Sequence, residues 1–510
     1  MKAVLRYFLY IPIFLFIAVP GICYGLDTGE NNERKVLLLI VDRLAVEDLF
    51  TYAGPTLDGL IDRGGLGLLN IKGGRVGSES GHLSMGAGSR AAAGNLSKLA
   101  FTRDEEFNGY PAQTVYHRYM GEAPLGEVFN LALAELETAN ATWGYKVVPG
   151  ALGDMITRSG GKVAVFGNAD TDIKRRPGVL TAMDQRGLVA VGNVSEEMLI
   201  KDPLFPYGHR IDVKAVTEAV TASFEDVSLV VVDWGDITRI DEESNACTPS
   251  RIQNLMQLTF AELDDFLSNF SDRFSPDLLF MMVSPSPPRQ YLNSGRQLTP
   301  LVVAGGEFAP GLLTGPTTRR NGLVANIDIP ATILTHLGIE DFPPHIVGLP
   351  VQTVPHAQPR EFVGMIAERV APIYDQRPAL LRGYLIFLTL TLFAGALALV
   401  SGFIMKFKKI IMVLVEGAMI FPVTLLLLAA FKGFPLDSVW MTATLVIVTN
   451  AALLGLAGLL KLLPSGRYVF WVVLGLGTSL LLIADLVSGA PLQQYSFLGY
   501  DPAAGARFYG

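Results

Sequence analysis

The sequence predicts an α/β domain with a mostly parallel sheet and helices on both faces, followed by an α-helical transmembrane bundle. Two observations carry this prediction. From Lys35 to about Pro350, short continuous apolar runs alternate with helical patterns, as in parallel strands joined by helices. From Tyr384 onward there are four apolar runs, each near the ~20 residues that a helix needs to cross a bilayer.

The strands of the predicted sheet are continuous apolar runs, which are typical of strands buried on both faces. The first run, Val36–Val41, ends directly before Asp42. Ligands of such sheets bind beyond the carboxyl ends of the strands, where Asp42, Asp233 and Asp236 are located. The other predicted strands and the two clearest helices are Lys162–Phe166, Leu188–Val191, Leu229–Val232, Leu278–Val283, Leu301–Ala304, Val213–Ser223 and Arg251–Leu267.

The two ends of the chain set the predicted domain organisation. Residues 1–25 place Lys2 and Arg6 before an apolar run and small residues, the pattern of a signal peptide or N-terminal anchor. Residues 489–510 end in what resembles the start of an ordered element, so we expect a C-terminal extracytoplasmic segment that is truncated. Between them we predict an extracytoplasmic domain at 26–360, a linker at 361–383 and transmembrane helices at 384–405, 410–430, 438–460 and 468–488.

Basic residues between the spans predict the topology. Lys406, Lys408 and Lys409 separate the first and second spans, and Lys461 and Arg467 separate the third and fourth. By the positive-inside rule both loops are cytoplasmic, which puts the large N-terminal domain outside a multi-pass protein of the cell membrane. Two ionisable residues within the spans, at positions 416 and 485, either reach the membrane interface or serve a function of the bundle.

The amino-acid composition limits the kinds of partner that the chain is expected to bind. Half of the 510 residues are hydrophobic and 17% are charged, which is below the roughly one quarter usual for soluble proteins. The net charge is −8 and the sequence has no basic patch suited to nucleic acid. The expected partner is therefore the lipid bilayer, without nucleic acid.

Residues 77–90 read Gly-Ser-Glu-Ser-Gly-His-Leu-Ser-Met-Gly-Ala-Gly-Ser-Arg and form the most informative segment of the chain. So many glycines indicate a backbone that turns tightly or approaches another group closely. Ser78 is the candidate nucleophile. His82, four residues later, is a candidate for substrate binding or for a hydrogen bond that stabilises the loop. Lys72 and Arg75 precede the segment and Arg90 ends it, and these three are candidates for holding phosphate or sulfate oxygens, which a guanidinium binds through two hydrogen bonds.

From Ser78 to Gly88 the segment resembles the phosphoserine loop of cofactor-independent phosphoglycerate mutases at eight of eleven positions. Those mutases belong to the alkaline phosphatase superfamily, and the order of elements over roughly 36–350 is similar to that superfamily. The resemblance implies two-metal phosphoryl or sulfuryl transfer, with Ser78 as the nucleophile on a metal shared with Asp42. It also implies that residues 91–160 and 170–210 hold insertions over the site.

The chain departs from the family pattern at the metal ligands. The family has an Asp-x-x-x-His motif, but the residue four positions after Asp233 or Asp236 is isoleucine, and we prefer Asp236 as the counterpart of the family aspartate. An expected Asp-His pair is replaced by Ser284-Pro285-Ser286, and Asn293–Arg296 lacks the last histidine. The remaining candidate metal ligands are Asp42, Ser78, Asp236 and Asp233, which suit a single hard cation better than a two-metal centre.

Two functions follow from this mixture of retained and missing residues. The first is a membrane-anchored domain with a partly lost metal centre that binds or scaffolds an anionic envelope ligand. The second is an active hydrolase or transferase that uses Ser78 as nucleophile and a divalent cation (Mg²⁺, Mn²⁺ or Zn²⁺). A third possibility, in which the helical bundle is the working part, depends on Glu416 and Asp485 alone.

Overall fold

A ten-stranded sheet forms the centre of the domain, with strand order β17-β15-β2-β14-β13-β1-β12-β7-β9 and β16 beside β2. The computed structural model describes residues 34–75, 77–142, 146–400, 407–430, 438–462, 466–499 and 501–503, so the predicted signal segment at 1–25 lies outside the described residues. The strands are β1 Lys35–Ile40, β2 Gly65–Asn70, β3 Ala100–Thr102, β4 Glu106–Phe107, β5 Tyr110–Pro111, β6 Val128–Asn130, β7 Val163–Phe166, β8 Leu188–Val189, β9 Val191–Asn193, β10 Leu199–Lys201, β11 His209–Ile211, β12 Leu229–Asp233, β13 Leu278–Val283, β14 Thr299–Gly305, β15 Gly311–Thr314, β16 Leu323–Ala325 and β17 Gln352–Val354.

Helices cover both faces of this sheet and continue into a separate bundle. Their bounds are α1 Val46–Tyr52, α2 Pro55–Arg63, α3 Ser78–Ala87, α4 Ala112–Met120, α5 Leu133–Asn140, α6 Ala151–Arg158, α7 Gly178–Ala182, α8 Val213–Ser223, α9 Asp236–Glu243, α10 Pro249–Ser268, α11 Asp328–His336, α12 Pro359–Val400, α13 Lys408–Leu428, α14 Val439–Leu460, α15 Gly466–Val487 and α16 Pro491–Gln494. Helix α10 begins two residues before the predicted start because Thr248 caps it and Pro249 occupies its first position.

The sheet is mostly parallel, as predicted. Strand β1 pairs in parallel with β12 and β13, and β12 pairs in parallel with β7. Strand β14 is antiparallel to both of its neighbours, β13 and β2. Strand β2 was not predicted because its sequence, Gly-Leu-Gly-Leu-Leu-Asn, alternates glycine with leucine, although all six residues are buried. The predicted strand 188–191 is two strands, since β8 joins a small sheet with β6 while β9 extends the main sheet.

Alternate residues of the central strand enter two separate cores. Leu37 and Leu39 of β1 belong to one hydrophobic cluster, which contains residues of α2, α8, α10 and α12. Val36, Leu38 and Ile40 belong to the other, which contains residues of α3, α6, α7 and α11. Because side chains of a strand alternate between faces, this division confirms that helices cover both faces of the sheet. Parts of the predicted insertions at 91–160 and 170–210 form the small sheet β3-β6-β8.

Four helices of the described chain, α12 to α15, are long and apolar enough to cross a membrane by length and composition. Helix α12 is 42 residues long and includes the stretch 361–383 that was predicted as a linker. In its first half, Val363, Ile366 and Val370 lie at helical spacing. All three pack into the hydrophobic cluster that contains Leu37 and Leu39, which favours a helix here. The domain and the first apolar helix are therefore joined without a loop.

Candidate functional site

Asp42 lies at the carboxyl end of the central strand, two residues after β1 ends. Its neighbour Arg43 has a positive φ of 64°, a left-handed conformation that is uncommon for residues other than glycine. The Arg43 amide donates to the carbonyl of Ser286 at 2.9 Å, and the Leu44 amide donates to the Ser284 hydroxyl at 3.2 Å. Ser284 and Ser286 thus hold the turn that carries Asp42 in place.

Ser78 is the first residue of helix α3, not a loop residue as the motif suggested. The residue before it, Gly77, has φ 139° and ψ 150°, a region that is essentially restricted to glycine. Residues four apart share one face of a helix, so Ser78 and His82 both face Asp42. His82 Nε2 lies 2.8 Å from Asp42 Oδ2, and the Ser78 hydroxyl donates to the same oxygen. We call Asp42, Ser78 and His82 the serine centre.

The charges of this centre are arranged as an ion pair. Burial alone would raise the pKa of Asp42, but His82 and the hydrogen bonds from His82 and Ser78 lower it below its usual value. Burial alone would lower the pKa of His82, but the Asp42 carboxylate raises it above its usual value. Asp42 and His82 therefore each stabilise the charged form of the other.

Asp233 is brought to the same place by the strand next to β1. It ends β12, where it pairs with Ile40, and it accepts a hydrogen bond from the Gly178 amide at 3.0 Å. Burial raises the pKa of Asp233 to about 6; Asp42 adds to the rise, while His82 and the Gly178 amide oppose it. Asp233 therefore lies within electrostatic range of the serine centre.

Asp236, the preferred metal ligand in the sequence, lies in a different environment. Its carboxylate accepts from Arg239 Nη1 at 2.7 Å and from the Ile211 amide at 3.0 Å. Arg239 also donates to Asn168 and to the Asp170 carbonyl, and the side chains of Asp236 and Arg239 are fully buried. We call Asp236, Arg239, Asn168 and Asp170 the arginine network. We therefore prefer Asp233 to Asp236 as the candidate metal ligand, because the oxygens of Asp236 already accept hydrogen bonds in this network.

Glu79 is a half-buried acidic residue of α3 that the sequence did not single out. It accepts from the Ser97 amide at 2.9 Å and from the Ser97 hydroxyl at 2.7 Å. Burial raises the pKa of Glu79 above its usual value, against the opposing hydrogen bonds and His82. Its position beside Ser78 in the motif was the available signal, but glutamate at a helix start is also common as a favourable charge for the helix dipole.

Two buried atoms of the serine centre, Asp42 Oδ1 and His82 Nδ1, have no hydrogen-bond partner. An orphaned carboxylate oxygen next to a second carboxylate suits a hard cation, and Asp42 with Asp233 could hold one together with water. Within the described ranges, no group of three or more acidic, histidine or cysteine side chains has the arrangement of a metal site. The residues present therefore fit a single cation with few protein ligands and do not fit a two-metal centre.

A cavity of about 290 Å³ opens at the start of α3. Lys72 and Arg75 both line this cavity, together with Gly77, the residue before Ser78. Arg90 follows the opposite end of α3, and His82 is completely buried, so neither occupies the substrate-binding position that the motif suggested. The cavity is lined by Ile71, Lys72, Gly73, Gly74, Arg75, Gly77, Ser286, Pro287, Leu292, Gln297 and Ala503.

No protein-family model matches the chain, and no curated protein matches it. Solved structures that align with it include the PH0037 protein from Pyrococcus horikoshii, at 14% identity over 61% of this chain and 98% of that chain, with a TM-score of 0.38. The lipoteichoic acid synthase LtaP from Listeria monocytogenes aligns at 10% identity over 60% of this chain and 72% of that chain, with a TM-score of 0.33.

An alkaline phosphatase from the Antarctic bacterium TAB5 also aligns, at 11% identity over 60% of this chain and 99% of that chain, with a TM-score of 0.34. A variant of that enzyme has been solved with Mg bound. Alignments at these TM-scores assign no activity to this chain. The resemblance to the phosphoglycerate mutases stays a prediction from residues 78–88.

Proposed function

We propose that this is a membrane-anchored protein whose extracytoplasmic domain binds an anionic, phosphorylated or sulfated ligand of the cell envelope at the start of helix α3. The observation that carries the proposal is the cavity in which Lys72 and Arg75 lie in front of Gly77. The first amides of a helix have no partners within the helix and carry partial positive charge, so they attract an anion. Lysine and arginine add full charges and directed hydrogen bonds.

Binding is favoured over catalysis by the lining of the cavity, which contains the cationic Lys72 and Arg75 but neither Asp42 nor His82. The Ser78 hydroxyl donates to Asp42 Oδ2, which fixes its position at the start of α3. This position suits a hydrogen-bonding group at the edge of an anion site.

The second candidate is a metal-dependent phosphoryl or sulfuryl hydrolase or transferase with Ser78 as nucleophile. The observation that favours it is the unpartnered Asp42 Oδ1, together with the carboxyl of Asp233, whose pKa is raised to about 6. A divalent cation such as Mg²⁺, Mn²⁺ or Zn²⁺ at these carboxylates would lower the pKa of a bound hydroxyl and neutralise charge on the ligand. Asp42 would still orient Ser78, and Lys72 and Arg75 would still hold the anion.

The binding function is tested by calorimetric titration of the full chain in detergent with inorganic phosphate and with sulfate. We expect measurable binding that weakens at least tenfold in the double variant Lys72→Gln/Arg75→Gln. The control is Lys201→Gln/Lys214→Gln, which removes the same charge from two exposed positions elsewhere on the domain. No binding by the unchanged chain, or equal losses in the two double variants, contradicts the proposal.

The catalytic candidate is tested on the same preparation with a phosphomonoester and a phosphodiester, with and without each divalent cation. One equivalent of bound metal and turnover that disappears in Ser78→Ala establish the hydrolase or transferase. If phosphate binds but no condition gives turnover, the catalytic candidate is wrong and only the binding function remains.

The proposed orientation, with the domain outside the cell, has its own test. A Ser465→Cys substitution in a Cys23→Ser/Cys247→Ser background leaves one cysteine, in the loop that the positive-inside rule assigns to the cytoplasm. We expect a membrane-impermeant thiol reagent to label it only after the cells are permeabilised. Labelling of intact cells reverses the proposed topology.

A further inference from the structure

Helix α12 shows which edge of the sheet faces the bundle. Near its start, Arg360 pairs with Asp58 at 2.8 Å and with Asp62 at 3.1 Å, both on α2, the helix that leads into the beginning of β2. Further along, Asp375 Oδ1 accepts from the Gly295 amide at 2.8 Å. Gly295 lies just before β14, whose first residue pairs with β2 near its carboxyl end. Helix α12 therefore runs from the amino edge of the sheet to the carboxyl edge.

The same helix then enters the bundle without interruption. Tyr384 stacks on Phe421 of α13 with ring centres 4.1 Å apart, and its hydroxyl donates to the Ala418 carbonyl at 3.0 Å. Arg369 Nη2 donates to the carbonyl of Ala429, directly after the end of α13. The carboxyl edge of the sheet, which carries the serine centre, thus faces the end of the bundle nearest the domain.

The segment that follows the fourth apolar helix packs on this end of the bundle. Asp485 accepts from the Leu492 amide at 2.7 Å, and the Ser496 hydroxyl donates to the Leu425 carbonyl at 3.3 Å. The ring of Tyr495 lies 4.2 Å from the Arg369 guanidinium. Together these contacts hold the segment across the ends of α13 and α15 and against the first half of α12.

This segment then reaches the cavity at the start of α3. Arg377 of α12 pairs with Asp501 at 3.1 Å, and the Asn70 side-chain amide, at the end of β2, donates to the Pro502 carbonyl. Ala503 lines the cavity in front of Gly77. One wall of the cavity therefore belongs to a segment that is packed against the membrane-spanning helices.

The lining of the cavity combines two kinds of surface. Ile71, Leu292 and Ala503 are apolar, while Lys72 and Arg75 are cationic. A free phosphate or sulfate ion would use only the cationic part. A ligand with an anionic group joined to an apolar body would use both, and the position beside the bundle gives such a ligand a route from the bilayer.

From this position and lining, we infer that the ligand of the cavity is the anionic phosphate headgroup of a membrane lipid. The inference rests on the proposed anion-binding function and narrows its substrate class from any phosphorylated or sulfated envelope ligand to one carried by a lipid. Lys72, Arg75 and the first amides of α3 hold the phosphate oxygens. Ile71, Leu292 and Ala503 contact the part of the lipid next to the headgroup.

The test compares dioctanoyl phosphatidic acid with glycerol 3-phosphate, which has the same phosphate monoester without acyl chains. Each is titrated into the full chain in a non-ionic detergent, with dioctanoyl phosphatidylcholine as a lipid of zero net charge. We expect phosphatidic acid to bind at least tenfold more tightly than glycerol 3-phosphate and phosphatidylcholine. We also expect that preference to disappear in Lys72→Gln/Arg75→Gln and to persist in Lys201→Gln/Lys214→Gln.

The other outcomes separate the two proposals. Equal affinity for phosphatidic acid and glycerol 3-phosphate overturns the lipid inference and leaves the anion-binding function in place. A preference for phosphatidic acid that survives Lys72→Gln/Arg75→Gln also overturns it, since the lipid then binds to another surface. If none of the phosphates binds, the proposed function itself is wrong.

Discussion

The serine centre and the arginine network both lie beside the carboxyl edge of the sheet, but their hydrogen bonds are completed to different degrees. Arg239 donates to Asp236, to the Asp170 carbonyl and to both oxygens of Asn168. In the serine centre, Asp42 Oδ1 and His82 Nδ1 are buried without a partner. An unpaired buried polar atom is unfavourable by about 1–3 kcal/mol, so a completed network stabilises the fold, while an incomplete one has capacity for a ligand.

The largest effect is expected from breaking the arginine network. Arg239→Met leaves the Asp236 carboxylate buried without its counter-charge, which should lower the free energy of unfolding by about 3–5 kcal/mol. Urea denaturation of the full chain in detergent, followed by tryptophan fluorescence, measures it. The control is Arg158→Ala, which removes an exposed pair with Asp154 and should change stability by less than about 1 kcal/mol. A similar small loss in both variants would show that the network is not structural.

The next effect concerns Asp233 and depends on pH. Its folded pKa of about 6 is above the usual 3.8, so the unfolded chain ionises first and the folded protein loses stability as pH rises from about 4 to 6. Asp233→Asn removes this loss and keeps an acceptor for Gly178. We expect a gain on the order of 2–3 kcal/mol in the free energy of unfolding at pH 8, and little change at pH 4. Urea denaturation at both pH values measures it, and lower stability of the variant at pH 8 contradicts the pKa direction.

A smaller effect is expected at the start of α3. A Cβ at Gly77 meets no atom within 4 Å, so Gly77→Ala acts only through the backbone, whose φ of 139° should make it destabilising by about 1–3 kcal/mol. Phosphate affinity should fall with it, because the first amides of the helix move. Gly59→Ala, in an exposed part of α2 with equal space, is the matched control and should stabilise slightly. Equal effects of the two substitutions in denaturation and titration would mean that the conformation of Gly77 is unimportant.

The smallest effect is expected from substituting Glu79. Glutamine keeps an acceptor for the Ser97 amide and removes a half-buried carboxylate whose pKa is raised, so Glu79→Gln should change the free energy of unfolding at pH 7 by less than about 1 kcal/mol. Titration of the full chain should find phosphate affinity unchanged. A tenfold change in that affinity would add Glu79 to the functional residues.

The sequence identified the main elements of the sheet because buried parallel strands are apolar throughout, as in β1, β12 and β13. It did not identify β2, whose glycines weaken the apolar pattern. The pairing of Ser78 and His82 on Asp42 follows from helical spacing, but only once residues 78–87 are known to be helical. The choice between Asp233 and Asp236 could not be made from spacing, because it depends on contacts from distant parts of the chain. The Ile211 amide donates to Asp236, and Asn168 and Asp170 hold Arg239 beside it.

The cavity was less predictable than the serine centre. Lys72 and Arg75 flank the glycine-rich segment in the sequence, so their proximity could be anticipated. The position of Ala503 in the cavity lining could not be anticipated. The Asn70–Pro502 hydrogen bond that brings it there joins residues more than 400 positions apart. Contacts between residues so far apart in the chain produce no periodic pattern in the sequence.

Helix α12 also limits how the domain can move. A flexible tether would let a binding site sample a wide shell above the membrane, with an effective concentration set by the length of the tether. Because α12 is one continuous helix from Pro359 to Val400, the height of the domain and its tilt are coupled to the tilt of the bundle. Encounter with a surface-bound partner is then governed by lateral diffusion in two dimensions, and inserting a flexible glycine-rich segment into α12 would convert it to a three-dimensional search.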